Sequence, residues 1–173
     1  MTKKVLILSS SYRKGGNSDT LCDQFAKGAA EVGNEVEKIF VNDKNIAYCK
    51  GCGVCNTTHK CVIKVDKMVS ADVIVMATPV YFYSMNGQMK TLIDRTVPRY
   101  EEISGKDFYF IVAAADTSHA NMEKTLDGFR GFTEDCLPDA REKGVIYGTG
   151  AWQIGDIKRS PAMQQAYEMG KNV

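Results

Sequence analysis

One stretch near the start of the chain decides the fold: Val5-Leu6-Ile7-Leu8-Ser9-Ser10-Ser11-Tyr12-Arg13-Lys14-Gly15-Gly16-Asn17-Ser18-Asp19-Thr20-Leu21. An apolar run without alternation is typical of a strand buried on both faces, and the polar, Gly-rich turn after it leads into a helix. The first backbone N–H groups of a helix have no partners within it, and the helix dipole adds a partial positive charge. The stretch therefore predicts an anion site at a strand–loop–helix junction.

The side chains of this loop favour phosphate as the anion. An arginine supplies a planar, two-pronged cation, and neighbouring hydroxyl groups supply further donors, which suits a single terminal phosphate. Neither the dinucleotide fingerprint G-x-G-x-x-G nor the P-loop G-x-x-x-x-G-K-[ST] fits the segment. The alternative is that Asn17 or Ser18 only caps the helix and the serines fill a turn. The candidate phosphate ligands are Ser9, Ser11, Arg13, Asn17 and Ser18.

The composition limits the classes of partner. A chain of 173 residues suits one domain, 1–173, and a net charge of +1 offers no basic surface for nucleic acid or an anionic membrane. No apolar run is long enough for a transmembrane helix, and the first strand begins too close to Met1 for a signal peptide. We therefore expect a cytoplasmic protein whose partners are small molecules or further copies of itself.

Four more segments read as strands. Residues 35–41 alternate polar with apolar side chains and predict an edge strand, and the apolar runs 73–77, 108–115 and 145–149 predict buried ones. Helical periodicity fills the gaps, and one long amphipathic helix is marked by Met122, Leu126, Phe129, Cys136 and Leu137. The alternation predicts an α/β domain with a doubly wound, five-stranded parallel sheet of order 2-1-3-4-5.

A second candidate loop follows the third strand. In this strand order a ligand binds outside the carboxyl ends of strands 1 and 3, where the first loop meets this one. Three aromatic side chains here are well placed to flank a planar ring, or else pack beneath the loop or at a subunit contact. Apolar surface around a flat ring also predicts a homodimer or homotetramer. The candidate residues are Pro79, Val80, Tyr81, Phe82, Tyr83 and Ser84, with Asp116 from the next loop.

The two loops resemble those of a known family, the NADPH-dependent FMN reductases of flavodoxin-like fold. The run 10–18 is similar to the family's G-S-P-R-K-x-G-N-[ST] phosphate loop, with Ser10 and Tyr12 in place of Gly and Pro. The run 78–84, with Gln88-Met89-Lys90 and Ile93-Asp94-Arg95 after it, is similar to the family's second flavin loop and its helix. The resemblance implies FMN with its phosphate at the first loop and its isoalloxazine ring at the second, and NADPH or NADH as electron donor.

Four cysteines lie close together in a long connection at about 42–65. Cys49, Cys52, Cys55 and Cys61 follow the spacing C-x2-C-x2-C-x5-C, which resembles the motif of the iron-sulfur flavoproteins, a subgroup of this family. The resemblance implies a 4Fe-4S cluster on the four thiolates. A structural zinc site in an interaction module and a loop of reduced thiols both stay open as alternatives.

The sequence thus predicts an FMN-dependent oxidoreductase that passes electrons from a nicotinamide or protein donor to an acceptor such as a quinone or free flavin. Hydride transfer needs stacking, orientation and exclusion of water more than it needs an acid–base pair. The chain has only two histidines, in keeping with this. The alternative is a non-enzymatic, flavodoxin-like electron carrier. The nearly neutral charge argues against it, because complementary charges speed encounters between proteins.

Overall fold

The computed structural model describes residues 1–58 and 65–173. Within them one sheet is formed by β1 (Lys4–Ser9), β2 (Glu35–Phe40), β3 (Val73–Tyr81), β4 (Ser84–Met85), β5 (Asp107–Ala113) and β6 (Arg141–Gly148). The order is β2-β1-β3-β5-β6 with all neighbours parallel, and β4 pairs antiparallel with the end of β3. Without β4 this is the predicted order 2-1-3-4-5 with β2 at the edge, so the flavodoxin-like fold class is confirmed. The short β4 is an addition that was not predicted from the sequence.

The connections contain the helices α1 (Asn17–Glu31), α2 (Val54–Thr58), α3 (Asp66–Ser70), α4 (Gly87–Asp94), α5 (His119–Thr133) and α6 (Ala162–Lys171). Short 3-10 segments lie at Val41–Asp43, Val97–Ile103 and Asp156–Arg159. The connection at 42–65 is therefore partly helical, since α2 lies within it. No helix in the described ranges has the length and apolar character that crossing a membrane requires.

The sheet has a hydrophobic core on each face. On one face Leu6 and Phe110 pack with side chains of α3, α4 and α5. On the other face Ile7 and Ile111 pack with side chains of α1 and α6. Neighbouring residues of a strand point to opposite faces, so strands covered on both sides have continuous apolar sequences.

Helices α1 and α6 lie in backbone contact. A Cβ atom at Gly28 would lie 2.1 Å from the carbonyl oxygen of Tyr167, and one at Gly170 would lie 2.2 Å from that of Phe25. Because only glycine lacks a Cβ, only glycine permits so close an approach. The contact holds α1, whose first turn carries the predicted anion site, in one position against the sheet.

We expect Gly28→Ala to lower the free energy of unfolding by about 1–3 kcal/mol, because the added methyl group forces α1 and α6 apart. Denaturant unfolding measures the change as a lower transition midpoint. Gly131→Ala is the matched control, because Gly131 also lies in a helix and its added Cβ would lie 4.0 Å from the nearest neighbouring atom, Asp135 Oδ2. An equal loss in both variants would contradict the role of the close contact.

The helix after β5 is shorter than its sequence pattern predicts. The pattern reaches Cys136 and Leu137, whereas α5 ends at Thr133. Pro138 disfavours helical backbone only at Leu137, the residue before it, and the earlier end at Thr133 has no explanation in the structure. Leu137 is nevertheless buried, so the apolar spacing there marks burial in the following turn.

Candidate functional site

A cleft of about 320 Å³ opens at the carboxyl ends of the central strands. It is lined by segments that follow or end β1, β3, β5 and β6. Its lining consists of Ser11, Arg13, Asn17, Ser18, Pro79, Val80, Tyr81, Ala113, Ala114, Ala115, Ala151, Trp152 and Gln153. The two loops that the sequence singles out therefore do meet at one cleft. The sequence-predicted candidates outside this lining are Ser9, Phe82, Tyr83, Ser84 and Asp116.

The first two serines of the loop use their hydroxyl groups within the protein. Ser9 Oγ donates a hydrogen bond to Asp19 Oδ1 at 2.7 Å, and Ser10 Oγ donates to the carbonyl oxygen of Ala77 at 2.8 Å. Both serines are fully buried. They tie the end of β1 to α1 on one side and to β3 on the other, so they support the loop from behind.

Asp19 organises the loop from the first turn of α1. Its Oδ2 accepts a hydrogen bond from the backbone N–H of Gly15 at 2.9 Å, and its Oδ1 accepts from Lys38 Nζ at 3.1 Å as well as from Ser9. The carboxylate is buried, with only 4% of the side chain exposed. Burial lowers the pKa of Lys38, but hydrogen bonds to Asp23 and Asp19 outweigh it and raise that pKa. Asp19 was not predicted from the sequence, because its partner Lys38 lies on β2 and comes beside it only in the folded chain.

Arg13 and Ser18 both line the cleft, and their polar side-chain groups bind no other described residue. The exposed Arg13 guanidinium forms no ion pair with a described residue, and the Ser18 hydroxyl forms no hydrogen bond with one. Helix α1 begins at Asn17 behind Gly16, and no side chain caps its N-terminus. A guanidinium, a hydroxyl and uncapped N–H groups at one place are a donor set that fits a phosphate.

Ser11 and Gly16 fix the shape of this loop. Ser11 Oγ donates a hydrogen bond to the carbonyl oxygen of Arg13 at 2.8 Å and accepts one from its N–H at 3.1 Å. A Cβ atom at Gly16 would lie 2.7 Å from Ser11 Oγ, so a side chain there would disturb the turn. The hydroxyl of Ser11 therefore holds Arg13 at the edge of the cleft.

Asn17 connects the first loop to the loop that follows β6. Its Nδ2 donates a hydrogen bond to the carbonyl oxygen of Gln153 at 3.0 Å, and its Oδ1 accepts from the N–H groups of Gly155 and Ile157 at 3.2 and 3.4 Å. The side-chain amide of Asn17 thus fixes the position of the loop that contains Trp152, and this loop forms one wall of the cleft. This wall was missed in the sequence, although a tryptophan directly after the last strand was a signal for it.

The second loop closes the cleft beside the first. Pro79, Val80 and Tyr81 form the last residues of β3 and line the cleft. The ring of Tyr81 stacks on the ring of Tyr12 with centroids 6.0 Å apart and an interplanar angle of 19°. The two loops therefore support each other through an aromatic pair at the rim.

The turn between β3 and β4 is strained. Its central residues, Phe82 and Tyr83, both have positive φ angles, 50° and 60°. Two consecutive left-handed residues are typical of a type I′ hairpin turn, which usually contains Asn and Gly. For side chains with a Cβ, this conformation costs roughly 1–2 kcal/mol per residue. The turn leaves the Phe82 side chain fully exposed.

Tyr83 contacts α5. Lys124 Nζ lies 4.8 Å from the centroid of the Tyr83 ring, within the range of a cation–π interaction. The backbone N–H of Ser118 and the side-chain amide of Asn121 each donate a hydrogen bond of 2.8 Å to Asp116, and these bonds lower the pKa of its carboxyl group. Asp116 thus lies outside the cleft lining and shapes the turn that leads into α5.

We expect Phe82→Asn to raise the free energy of unfolding by roughly 1 kcal/mol, because asparagine tolerates the left-handed conformation and the exposed ring contributes little packing. Phe82→Ala is the control, since it removes the ring but keeps a Cβ without the local hydrogen bonding of asparagine. Thermal unfolding of the wild type, Phe82→Asn and Phe82→Ala measures whether only the asparagine variant is stabilised. Equal stability of the two variants would show that the turn is not strained.

Three cysteines of the 42–65 connection line a cavity of about 610 Å³. Cys49 and Cys52 are exposed, Cys55 is half-buried, and all three are free thiols. Gly51 and Gly53 between them have positive φ angles, as in loops whose N–H groups point at an anion. Cys61, the fourth predicted ligand, lies outside the described residues.

The described part of this cavity fits a thiolate-held group without forming a closed site. Within residues 1–58 and 65–173, no three His, Cys, Asp or Glu side chains are arranged to hold a metal ion. The donors that face the cavity are soft thiols, which suit iron-sulfur clusters and zinc better than magnesium or calcium. Cys49, Cys52 and Cys55 could therefore hold such a group only with the loop drawn closer around it.

The comparisons with known proteins agree with this architecture. The family model for NADPH-dependent FMN reductases matches residues 3–126. An iron-sulfur flavoprotein of Methanocaldococcus jannaschii is 39% identical over an alignment of 188 positions, gaps included, which covers 98% of this chain and 95% of that relative. An iron-sulfur flavoprotein of Archaeoglobus fulgidus is 39% identical over 101 residues, or 55% of this chain. That match spans about half of the relative's own length, 46%.

Solved structures share the fold at low sequence identity. The NAD(P)H:quinone oxidoreductase from Methanothermobacter marburgensis superimposes with a TM-score of 0.75 at 14% identity, over 99% of this chain and 97% of that one. At this identity the likeness shows only that the sheet and its helices are arranged alike.

Proposed function

Because the chain belongs to the NADPH-dependent FMN reductase family, we propose that it is an FMN-dependent oxidoreductase that takes electrons from NADPH or NADH. The observation that carries the proposal is the set of available donors at the N-terminus of α1, namely Arg13, Ser18 and the first N–H groups of the helix. These donors open into the same cleft as the aromatic end of β3. A phosphate and a planar ring on one ligand match the two halves of the cleft.

In this proposal the first loop binds the phosphate and the other segments hold the ring. Arg13 and Ser18 contact the phosphate, while Ser11 and Asn17 hold the neighbouring backbone in place. Pro79 to Tyr81 and the loop that contains Trp152 would hold the ring. Bound FMN supplies the hydride chemistry. The task left to the side chains is to bind, to orient and to exclude water.

The cleft also suits a redox cofactor because its ring side is apolar. Ala113, Ala114 and Ala115 continue from β5 into the lining, and small side chains leave room for a flat ring against the end of the sheet. Apolar walls with a few placed polar groups are usual for cofactor sites. Among the described residues, the cleft lining contains no histidine and no carboxylate, in keeping with chemistry that the cofactor carries.

Two measurements on the purified protein test the function. Titration with FMN should give saturable binding of one FMN per chain, and the holoprotein should oxidise NADPH or NADH with a quinone or free flavin as acceptor. Failure to take up FMN would refute the proposal. Binding of FMN without oxidation of either nicotinamide would instead identify an electron carrier of the flavodoxin type.

We further propose that Cys49, Cys52, Cys55 and Cys61 hold a 4Fe-4S cluster. The support is the common cavity of the first three thiols and the two glycines between them, whose backbone can approach cluster sulfurs closely. Iron and acid-labile sulfide in protein purified without oxygen test the proposal, with Cys52→Ala as the comparison. Wild-type protein without either element after reconstitution would refute it, and zinc in their place would favour the structural alternative.

A homodimer or homotetramer is proposed from the exposed aromatic residues around the cleft. Tyr81, Phe82, Tyr83 and Trp152 are all exposed, whereas the neighbouring Met85 is buried. Exposed aromatic side chains grouped at a site are typical of subunit contacts. Light scattering at several protein concentrations tests this, and a monomer throughout would exclude it.

We also propose that residues 1–173 act as a single domain and that the protein works in the cytoplasm. The described cysteines are free thiols, as is usual in a reducing compartment.

A further inference from the structure

A buried carboxylate, that of Asp19, is bonded directly to the first loop. Asp19 lies in the first turn of α1, and its Oδ2 accepts the hydrogen bond of Gly15 N–H at 2.9 Å. A phosphate bound at the N-terminus of α1 would share this helix end with the carboxylate. Two anions at one helix end repel each other, and the repulsion is stronger where water is excluded. Tight binding of a phosphate therefore requires a positive charge that compensates Asp19.

Lys38 of β2 supplies such a charge. Its Nζ lies 3.1 Å from Asp19 Oδ1 and also pairs with Asp23, which follows Asp19 by one helical turn. Only 27% of the Lys38 side chain is exposed, so water and salt screen its pair with Asp19 in part only. Lys38 does not belong to the cleft lining. Any influence that it has on a ligand of the cleft therefore passes through Asp19.

The thiol of Cys22 shows how these charges act on a neighbouring group. Cys22 is fully buried in α1, three residues after Asp19. Burial raises the pKa of the thiol far above its usual value, the charge of Asp19 raises that pKa further, and the charge of Lys38 lowers it. Asp19 thus disfavours an anion in its surroundings, and Lys38 favours one. The same two charges act on an anion bound at the first loop.

We propose that Lys38 is a positioning residue of the phosphate site: it holds Asp19 against Gly15 N–H and neutralises that carboxylate, so that the first loop accepts a phosphate. This inference rests on the proposed binding of FMN. Lys38 acts without touching the ligand, and it acts on the phosphate and not on the uncharged flavin ring. Lys38 therefore contributes to the preference for FMN over riboflavin, the same flavin without the phosphate.

The test measures the affinities of the apoprotein for FMN and for riboflavin by fluorescence titration. Lys38→Met should weaken FMN binding roughly tenfold and leave riboflavin binding unchanged, because only the phosphate is repelled by the uncompensated carboxylate. Lys38→Arg keeps the positive charge and should bind FMN nearly as the wild type does. Asp19→Asn combined with Lys38→Met should regain most of the lost affinity, because asparagine still offers Gly15 N–H an acceptor but carries no charge.

Lys67→Met is the matched control, because it removes the same charge from an exposed ion pair with Glu37, a neighbour of Lys38 on β2. It should leave both affinities unchanged. An equal loss of FMN affinity in Lys67→Met, or a loss in Lys38→Met of the same factor for riboflavin as for FMN, would overturn the proposal. So would a double variant that recovers none of the affinity.

A second comparison decides the question if Lys38→Met alone does not fold. Asp19→Asn should then bind FMN more tightly than Asp19→Asn combined with Lys38→Met, because Lys38 keeps its charge in the first variant only. Equal affinities of these two variants would overturn the proposal. Wild-type protein that binds no FMN would refute the proposed function as well, whereas FMN binding that Lys38→Met leaves unchanged would refute this inference alone.

Discussion

Replacing Asp19 with alanine is expected to lower the free energy of unfolding by about 2–4 kcal/mol, because a fully buried hydroxyl and a loop N–H lose their charged acceptor. The carboxylate accepts hydrogen bonds from Ser9, Gly15 and Lys38, and its side chain is 4% exposed. Its loss leaves a buried hydroxyl and an N–H of the phosphate loop without their acceptor, and each such group costs about 1–3 kcal/mol. Denaturant unfolding of the apoprotein measures the effect.

Asp23→Ala is the matched control for this variant. Asp23 is the second carboxylate partner of Lys38, but 56% of its side chain is exposed, so we expect a change of about 1 kcal/mol or less. Asp19→Ala should also weaken FMN binding, because Gly15 N–H no longer holds the loop in place. If Asp19→Ala and Asp23→Ala destabilised the protein equally, the loop would not depend on Asp19 as argued.

The second large effect is expected from Arg13→Ala, which should weaken FMN binding by about 1.5–3 kcal/mol, or roughly 10–150-fold, through loss of a charge-assisted contact. The guanidinium is exposed at the cleft and has no ion-pair partner among the described residues, so its removal should leave stability unchanged. Fluorescence titration of apoprotein with FMN gives the affinity. Lys14→Ala is the control, because Lys14 is a neighbouring cation that pairs with Asp43.

Riboflavin, which lacks the phosphate, makes the test specific. Wild type and Arg13→Ala should bind riboflavin equally, because the ring is held by other residues. If Arg13→Ala weakened the binding of riboflavin by the same factor as the binding of FMN, Arg13 would not act on the phosphate. The wild-type preference for FMN should also shrink as salt concentration rises, since the contact is exposed.

The sheet was predictable because its order follows from local sequence. Continuous apolar runs indicated the central strands, and the alternating segment 35–41 indicated the edge strand β2. The prediction that loops after the first and third strands meet followed from that order alone. Helix ends were less predictable, since the apolar spacing continues to Leu137 as buried turn residues after α5 has ended at Thr133.

The parts of the site that depend on distant partners were not predictable. Asp19 acquires its role only when β2 brings Lys38 beside it, and Asn17 acquires its role only when the loop after β6 folds back to it. The short hairpin with β4 was missed because Phe82 and Tyr83 are not residues that favour a left-handed turn. Its consequence is that the aromatic cluster divides, with Tyr81 at the cleft and Phe82 in solvent.

The glycine contact between α1 and α6 bears on when the cofactor can be captured during synthesis of the chain. Gly28 and Gly170 lie in the first and last of the described helices, so a ribosome releases α1 long before α6 exists. Until then α1, which follows the phosphate loop, lacks its contact with α6, and the hydrophobic core on that face of the sheet is incomplete. We therefore expect the nascent chain to remain in the apo form, and FMN to be captured only after α6 has been translated and has docked.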